Sequence, residues 1–347
     1  MVPMTRASVP SVPSVSLASF CSDEGVVVGE APTAAQAAAA AAIHAACADH
    51  GFLHLHDFGL TPELRAAAFS RARELFALPE ERKRTELARL SPQTNVGYAP
   101  FSHEHLNRRR PPDLKEAFNV RNPLVHTNDF RGASDGFEET ALALWAAIAK
   151  AARRYALACA VALGLDPHYF ERSLARMDLC TLRFLHYPPT DVLSATGEAG
   201  AAIRVGEHTD FGAFTFLLLG DGAQGLQMKP VHGGEIGGSA GGEEGGWVDV
   251  VSPPAPDGSV GALVNTGALL ARWTNDVWRA TAHRVIVPNA QVASADRYSI
   301  ACFIDPDAAY PVEVDPRFVP QGEQPKYPPT TGLEYLLHKL KEAQGVT

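Results

Sequence analysis

Cysteine is scarce and scattered in this chain of 347 residues. The five that occur, Cys21, Cys47, Cys159, Cys180 and Cys302, are odd in number and include no Cys-x-x-Cys pair. That excludes a disulfide framework and a cysteine-built zinc site, and it fits five buried small side chains in a reducing cytoplasm. Long apolar runs are missing too. No stretch approaches the roughly 18 consecutive apolar residues of a membrane span, so no membrane association is expected. The N-terminal residues alternate Val, Pro and Ser without an apolar stretch, which argues against a secretory signal. Positive charge is in deficit, with 30 Lys and Arg against 39 Asp and Glu. A net charge of −9 repels phosphate backbones, so nucleic acid is not an expected partner. Hydrophobic residues make up 46% of the chain, enough to bury a large core and to exclude wholesale disorder.

The first half reads as helical. Residues 12–17 alternate as one edge strand, with proline tolerated at its start. Thr33 caps an alanine run from Ala34 to Ala46, and residues 51–56 form a short strand. Thr61-Pro62-Glu63 opens a second helix reaching about Phe76, since proline suits the first helical position. The polar stretch from Leu78 to Pro112 reads as loop. Apolar residues then recur at helical spacing from Glu138 to Leu163.

Beyond Cys180 the texture becomes β-rich. Short runs at 180–187, 213–219, 225–229, 247–251, 261–265, 283–287 and 298–304 are separated by Gly and Pro clusters, as in an antiparallel barrel or jelly roll. The glycine-rich stretch 232–246 reads as an inserted flexible loop. A last helix, about Gly332 to Ala343, follows a proline-rich approach and reads as a docking cap.

The chemistry concentrates around Gly206-Glu207-His208-Thr209-Asp210-Phe211-Gly212. His-x-Asp at a strand edge sends an imidazole and a carboxylate to one face. Such a pair recurs by chance, but His283 opens a downstream β-run and can complete a two-His-one-carboxylate triad. That triad holds Fe(II) on one side and leaves positions open for oxygen and organic ligands. Fourteen residues further, Arg297-Tyr298-Ser299 alternates again, placing a guanidinium and a hydroxyl on one face. A planar guanidinium grips a carboxylate with two hydrogen bonds, and the hydroxyl adds a third. Arg297 and Ser299 therefore suit the far carboxylate of a small dicarboxylic acid beside a metal. Arg204, four residues before His208, suits an anionic group of the substrate, and Arg108 to Arg110 suits a solvated turn at the rim. His54 and His56 mimic a metal pair but lack a third ligand, so they read as structural.

At these residues the sequence resembles the isopenicillin N synthase-like group of Fe(II)- and 2-oxoglutarate-dependent dioxygenases. The resemblance runs from about Val12 to Leu340. It includes Gly51-Phe52, Gly97-Tyr98, Asp113-Leu114-Lys115-Glu116-Ala117-Phe118, Tyr187-Pro188-Pro189, Gly225-Leu226-Gln227, Arg272-Trp273-Thr274-Asn275 and Lys326-Tyr327-Pro328-Pro329, besides the triad and Arg297-Tyr298-Ser299. It departs from the family at Leu185-His186-Tyr187-Pro188, where a polar residue is lost, and at Gly267-Ala268-Leu269-Leu270.

The resemblance implies a mainly β fold with a double-stranded β-helix (jelly-roll) core. A helical buttress at 1–179 would pack on a core at 180–347 as one structural unit. It implies Fe(II) held by His208, Asp210 and His283, with 2-oxoglutarate held by Arg297, Ser299 and Tyr187. Phe303 matches a position that often faces substrate. The implied activity oxidises, most simply hydroxylates, a small organic substrate with O2 and releases succinate and CO2. A cytoplasmic monomer or weak homo-oligomer is expected. Two other classes stay open at this point: an iron oxidase whose Arg297 and Ser299 bind the substrate's own carboxylate, and a non-catalytic binding module.

Overall fold

The computed structural model describes residues 12–21, 29–91, 94–103, 112–190, 202–230, 246–251 and 258–344. Its strands are β1 (Ser14–Ser16), β2 (Phe52–His56), β3 (Gly97–Ala99), β4 (Glu116–Arg121), β5 (Thr181–Tyr187) and β6 (Ala202–His208). They continue as β7 (Phe214–Leu219), β8 (Leu226–Met228), β9 (Val248–Asp249), β10 (Ala262–Thr266), β11 (His283–Val287) and β12 (Arg297–Ile304), with a small hairpin of β13 (Pro311–Val312) and β14 (Thr330–Thr331). The helices are α1 (Ala34–Asp49), α2 (Pro62–Phe76), α3 (Glu80–Thr85), α4 (Phe137–Ala162), α5 (Ala268–Trp273), α6 (Ala290–Ala293) and α7 (Gly332–Gln344).

Local chemistry explains where the helices start. The Thr33 hydroxyl accepts from the Gln36 amide while the Gln36 side chain accepts from the Thr33 amide, a reciprocal capping box at α1. Thr61 caps α2 in the same sense, with Pro62 in the first turn.

Eight strands form one sheet in the order β1-β2-β10-β7-β12-β5-β4-β3, and β6-β11-β8-β9 form a second. The two face each other as a jelly roll. Alternation along the large sheet separates its two faces. Leu182, Phe184, Phe214, Phe216, Ile300 and Cys302 point outward into a core shared with Ile43, Phe69, Trp145, Ile148 and Tyr155 of the helices. Leu185, Tyr187, Leu263 and Ala301 point inward, where they meet Val205, Leu226, Met228 and Val285 of the small sheet. One sheet thus carries stability on its helix face and lines the site on its inner face.

One reading of the sequence needs correction. The stretch 78–112 is not all loop, since it contains α3 and β3, and β3 pairs with β4 along the edge of the large sheet. The last helix lies where the sequence places it, with Tyr335 buried and Leu336 half-buried, while Leu333, Leu337 and Leu340 stay exposed. Residues 232–245 and 108–110 lie outside the described residues.

Candidate active site

His208 ends β6 and His283 begins β11, and the two are direct partners across that antiparallel ladder. Their rings lie 4.3 Å apart between centroids. The pairing of β6 with β11 is irregular just behind them, a local bend of the kind that re-aims side chains beside sites. Asp210 follows in the turn beyond β6. Its Oδ1 stands 3.8 Å from Nε2 of His208 and 3.7 Å from Nε2 of His283. Among the described residues, this is the group of His, Cys, Asp or Glu side chains close enough to share one metal ion.

Each of the three side chains is held by a hydrogen bond on the side away from the common centre. Nδ1 of His208 donates to the Gly206 carbonyl at 2.8 Å, and Nδ1 of His283 donates to the Thr281 carbonyl at 3.1 Å. With the proton fixed on Nδ1, both Nε2 lone pairs face the common centre. Thr215 Oγ1 and Asn265 Nδ2 donate to Oδ2 of Asp210 at 2.6 and 2.7 Å, leaving Oδ1 toward the imidazoles. The turn itself is clamped, because the first amides of α5 donate to the carbonyls of Asp210 and Phe211. Gly267 must be glycine there, since a Cβ would meet the Gly212 carbonyl oxygen at 2.2 Å.

Protonation states suit a cation. Burial, reinforced by His283, pushes His208 down to about 4, so it is a neutral imidazole at neutral pH. Burial alone would raise Asp210. The two imidazoles beside it and the hydrogen bonds from Asn265 and Thr215 outweigh burial and hold its carboxyl low. Two imidazole nitrogens and one carboxylate on one side of a centre fit a first-row divalent metal with open positions opposite.

Arg297 and Ser299 lie on the inner face of β12, both buried. The Arg297 guanidinium sits 4.7 Å over the ring of Tyr187, its register partner on β5. Its Nε donates to the Gln224 carbonyl at 3.1 Å, while Nη1 is buried without a partner. A buried guanidinium nitrogen left unbonded fits a ligand carboxylate. Phe303 continues the same inner face toward Thr215 and Thr181. Arg204 is fully buried, and its Nη2 donates to the Val292 and Ala295 carbonyls at 3.2 and 3.0 Å. His54 is buried inside the barrel against Gly261, apart from the triad.

Comparison with known proteins fits this geometry. Residues 179–306 match the 2OG-Fe(II) oxygenase superfamily, and residues 12–139 match the N-terminal region of a non-haem dioxygenase in morphine synthesis. The 2-oxoglutarate-dependent dioxygenase citB of Monascus ruber is 31% identical over 288 residues, 77% of this chain and 78% of its own. The chain belongs to the 2-oxoglutarate–Fe(II) oxygenase superfamily. Validamycin A dioxygenase of Streptomyces hygroscopicus subsp. limoneus is 30% identical over 309 residues, 83% of this oxygenase and 77% of its own chain. A full-length Neurospora crassa protein solved in complex with alpha-KG (2-oxoglutarate) superposes with a TM-score of 0.78 at 28% identity, covering 97% of this oxygenase and 98% of the fungal chain. The same fungal protein in complex with alpha-KG and thymine gives a TM-score of 0.77 at 26% identity, covering 99% of both. This oxygenase is accordingly a dioxygenase using Fe(II), 2-oxoglutarate and O2 on a small molecule. The readings without 2-oxoglutarate or without catalysis give way to it.

Several supporting residues carry no motif. Thr215 and Asn265, which orient Asp210, are visible only as polar residues on inward positions of β7 and β10. Asp113 accepts from the Gly206 amide at 3.3 Å and pairs with Lys115 at 3.0 Å, bracing the strand end that carries His208. Arg183, Asn119 and Asn95 form a hydrogen-bonded row, with Arg183 Nε donating to Asn119 Oδ1 and Asn119 Nδ2 to Asn95 Oδ1, both at 2.8 Å. Arg183 shares the inner face of β5 with Leu185 and Tyr187.

Proposed function

We propose that His208, Asp210 and His283 hold the iron, and that Arg297, with Ser299 and Tyr187, holds the distal carboxylate of 2-oxoglutarate. A small organic substrate enters beside Phe303 and is hydroxylated. The observation that carries this reading is the pair of imidazoles locked by Nδ1–H donation, facing an aspartate whose second oxygen is already satisfied. When bound, iron and 2-oxoglutarate supply the oxidising power, the cosubstrate being decarboxylated to succinate and CO2 as O2 is consumed.

The protein supplies position and exclusion. Thr215 and Asn265 keep one carboxylate oxygen from turning away. The guanidinium of Arg297, fixed between the Gln224 carbonyl and the Tyr187 ring, sets how deeply a dicarboxylic acid can enter. Leu185, Ala301 and Val205 keep water out of the inner chamber. The polar row of Arg183, Asn119 and Asn95 gives the inner wall hydrogen-bonding groups for a polar substrate, and the fungal structure solved with thymine and the relative named for validamycin A support a small molecule there. Five free cysteines support a cytoplasmic location. Residues before 180 contribute β1 to β4 to the sheet that β5, β7, β10 and β12 complete, which supports one structural unit spanning 1–179 and 180–347.

Two substitutions test the assignments. Arg297→Lys keeps the charge and loses the planar fork, so the KM for 2-oxoglutarate rises on the order of 10- to 100-fold with iron affinity unchanged. Asp210→Ala abolishes turnover at every 2-oxoglutarate concentration. If excess 2-oxoglutarate does not restore Arg297→Lys, or if Asp210→Ala keeps normal turnover, the assignment is wrong.

A further inference from the structure

Among the described residues, two guanidinium groups inside this barrel are buried with nitrogens that have no hydrogen-bond partner. Arg204 has no solvent exposure, yet only Nη2 is hydrogen-bonded; Nε and Nη1 have no partner. Arg297, also buried, leaves Nη1 in the same condition. Neither arginine has a carboxylate within ion-pair distance among the described residues. Asp296, the acid beside Arg297, is engaged by His186 Nε2 at 2.7 Å. A charged donor buried without a partner is costly, and two of the same sign close together cost more. Burial, and then the charge of Arg297, pull Arg204 below the usual guanidinium range. Such a pair is satisfied by an anion from outside that offers several lone pairs at once.

We infer that Arg204 is a second anchor for the distal carboxylate of 2-oxoglutarate, acting beside Arg297. The inference rests on the assignment of Arg297 above. Placement favours the cosubstrate over an anionic substrate. The carbonyls that hold Arg204 belong to Val292 and Ala295, in the segment that delivers Arg297 to the start of β12. Phe303, at the substrate end, is six residues further along that strand, about 20 Å at 3.3 Å per residue. A carboxylate offers about four acceptor positions, which a guanidinium on either side can fill without competition.

The test is 2-oxoglutarate binding measured by calorimetry on full-length protein loaded with Mn(II) in place of iron, without oxygen. Arg204→Met, Arg204→Lys and Arg297→Lys are compared with the unaltered protein. Arg204→Met is expected to raise the Kd on the order of 10- to 100-fold, with Mn(II) affinity unchanged and the ligand-free Tm not lowered. Should the Met variant not fold, Arg204→Lys, which keeps the charge but loses the fork, is expected to raise the same Kd at least several-fold. An unchanged Kd in the folded Arg204 variants with a raised Kd in Arg297→Lys overturns the inference and spares the assignment of Arg297. An unchanged Kd in all three overturns both. A lowered ligand-free Tm with unchanged Kd makes Arg204 a brace for the Val292–Ala295 segment and overturns the inference.

Discussion

Asp210 presents Oδ1 to the two imidazoles and gives Oδ2 to Thr215 and Asn265, so its orientation does not depend on a metal. Orientation of this kind sets affinity, because a ligand that must be turned and held loses conformational freedom when the ion arrives. Asn265→Ala should therefore raise the Mn(II) dissociation constant by about 10- to 100-fold. Titration calorimetry of the unloaded protein measures it, and an unchanged constant would show that Thr215 alone suffices. At this scale the sequence was readable where chemistry imposes spacing. His208 with Asp210 announces itself as a His-x-Asp pair at the end of β6, with Asp210 already in the turn, and Arg297 with Ser299 because alternate residues of β12 share a face. Asn265 and Thr215 do not, since one amide and one hydroxyl on inward positions look like any other polar strand residues.

β4 shows why some elements escape such reading. All six of its residues, Glu-Ala-Phe-Asn-Val-Arg, are buried. Its charged groups are satisfied inside the protein rather than by water, which removes the apolar–polar alternation that marks a half-exposed strand. Glu116 accepts from Lys83 at 2.8 and 2.9 Å, from Nδ1 of His186 at 2.7 Å, and from the Tyr98 hydroxyl. His186 in turn stacks on Tyr298 at 4.7 Å, so the network ties α3 and β3 to β4, β5 and β12. His186 points to the helix face, opposite Leu185 and Tyr187, which is why its departure from the family pattern does not intrude on the inner chamber. Lys83→Met leaves the Glu116 carboxylate buried with its cation gone and should cost about 3–5 kcal/mol in urea unfolding. Adding Glu116→Gln should recover part of that loss. Equal stability of the single and double variants would mean that the ion pair is not what the network needs.

The whole molecule also carries a buried acid whose ionisation opposes folding. Asp305 follows β12 and lies against Gly212, where a Cβ would meet its Oδ1 at 2.4 Å. Burial pushes it up to about 7, against the lowering effect of Arg121 and with help from Asp210. In the unfolded chain the same group titrates near about 3.9. Between those values the folded state holds the proton and the unfolded state does not, so stability falls as pH rises from about 4 to about 7. Asp305→Asn stays neutral throughout and should gain on the unaltered protein across that window. Parallel Tm-against-pH curves would count against it.

Strand order was the part of the architecture least open to sequence reading. β2 and β10 are neighbours although most of the chain lies between them, and pairings so distant leave no local signal. The same sheet, however, sorts its residues into two separate inheritances. Thr181, Arg183 and Phe303 face the chamber, while Leu182, Phe184 and Cys302 between them face the helices. Selection for a new substrate can act on one set while the other keeps the protein folded. A lineage of such enzymes can therefore diversify its chemistry by changing every second residue of two strands.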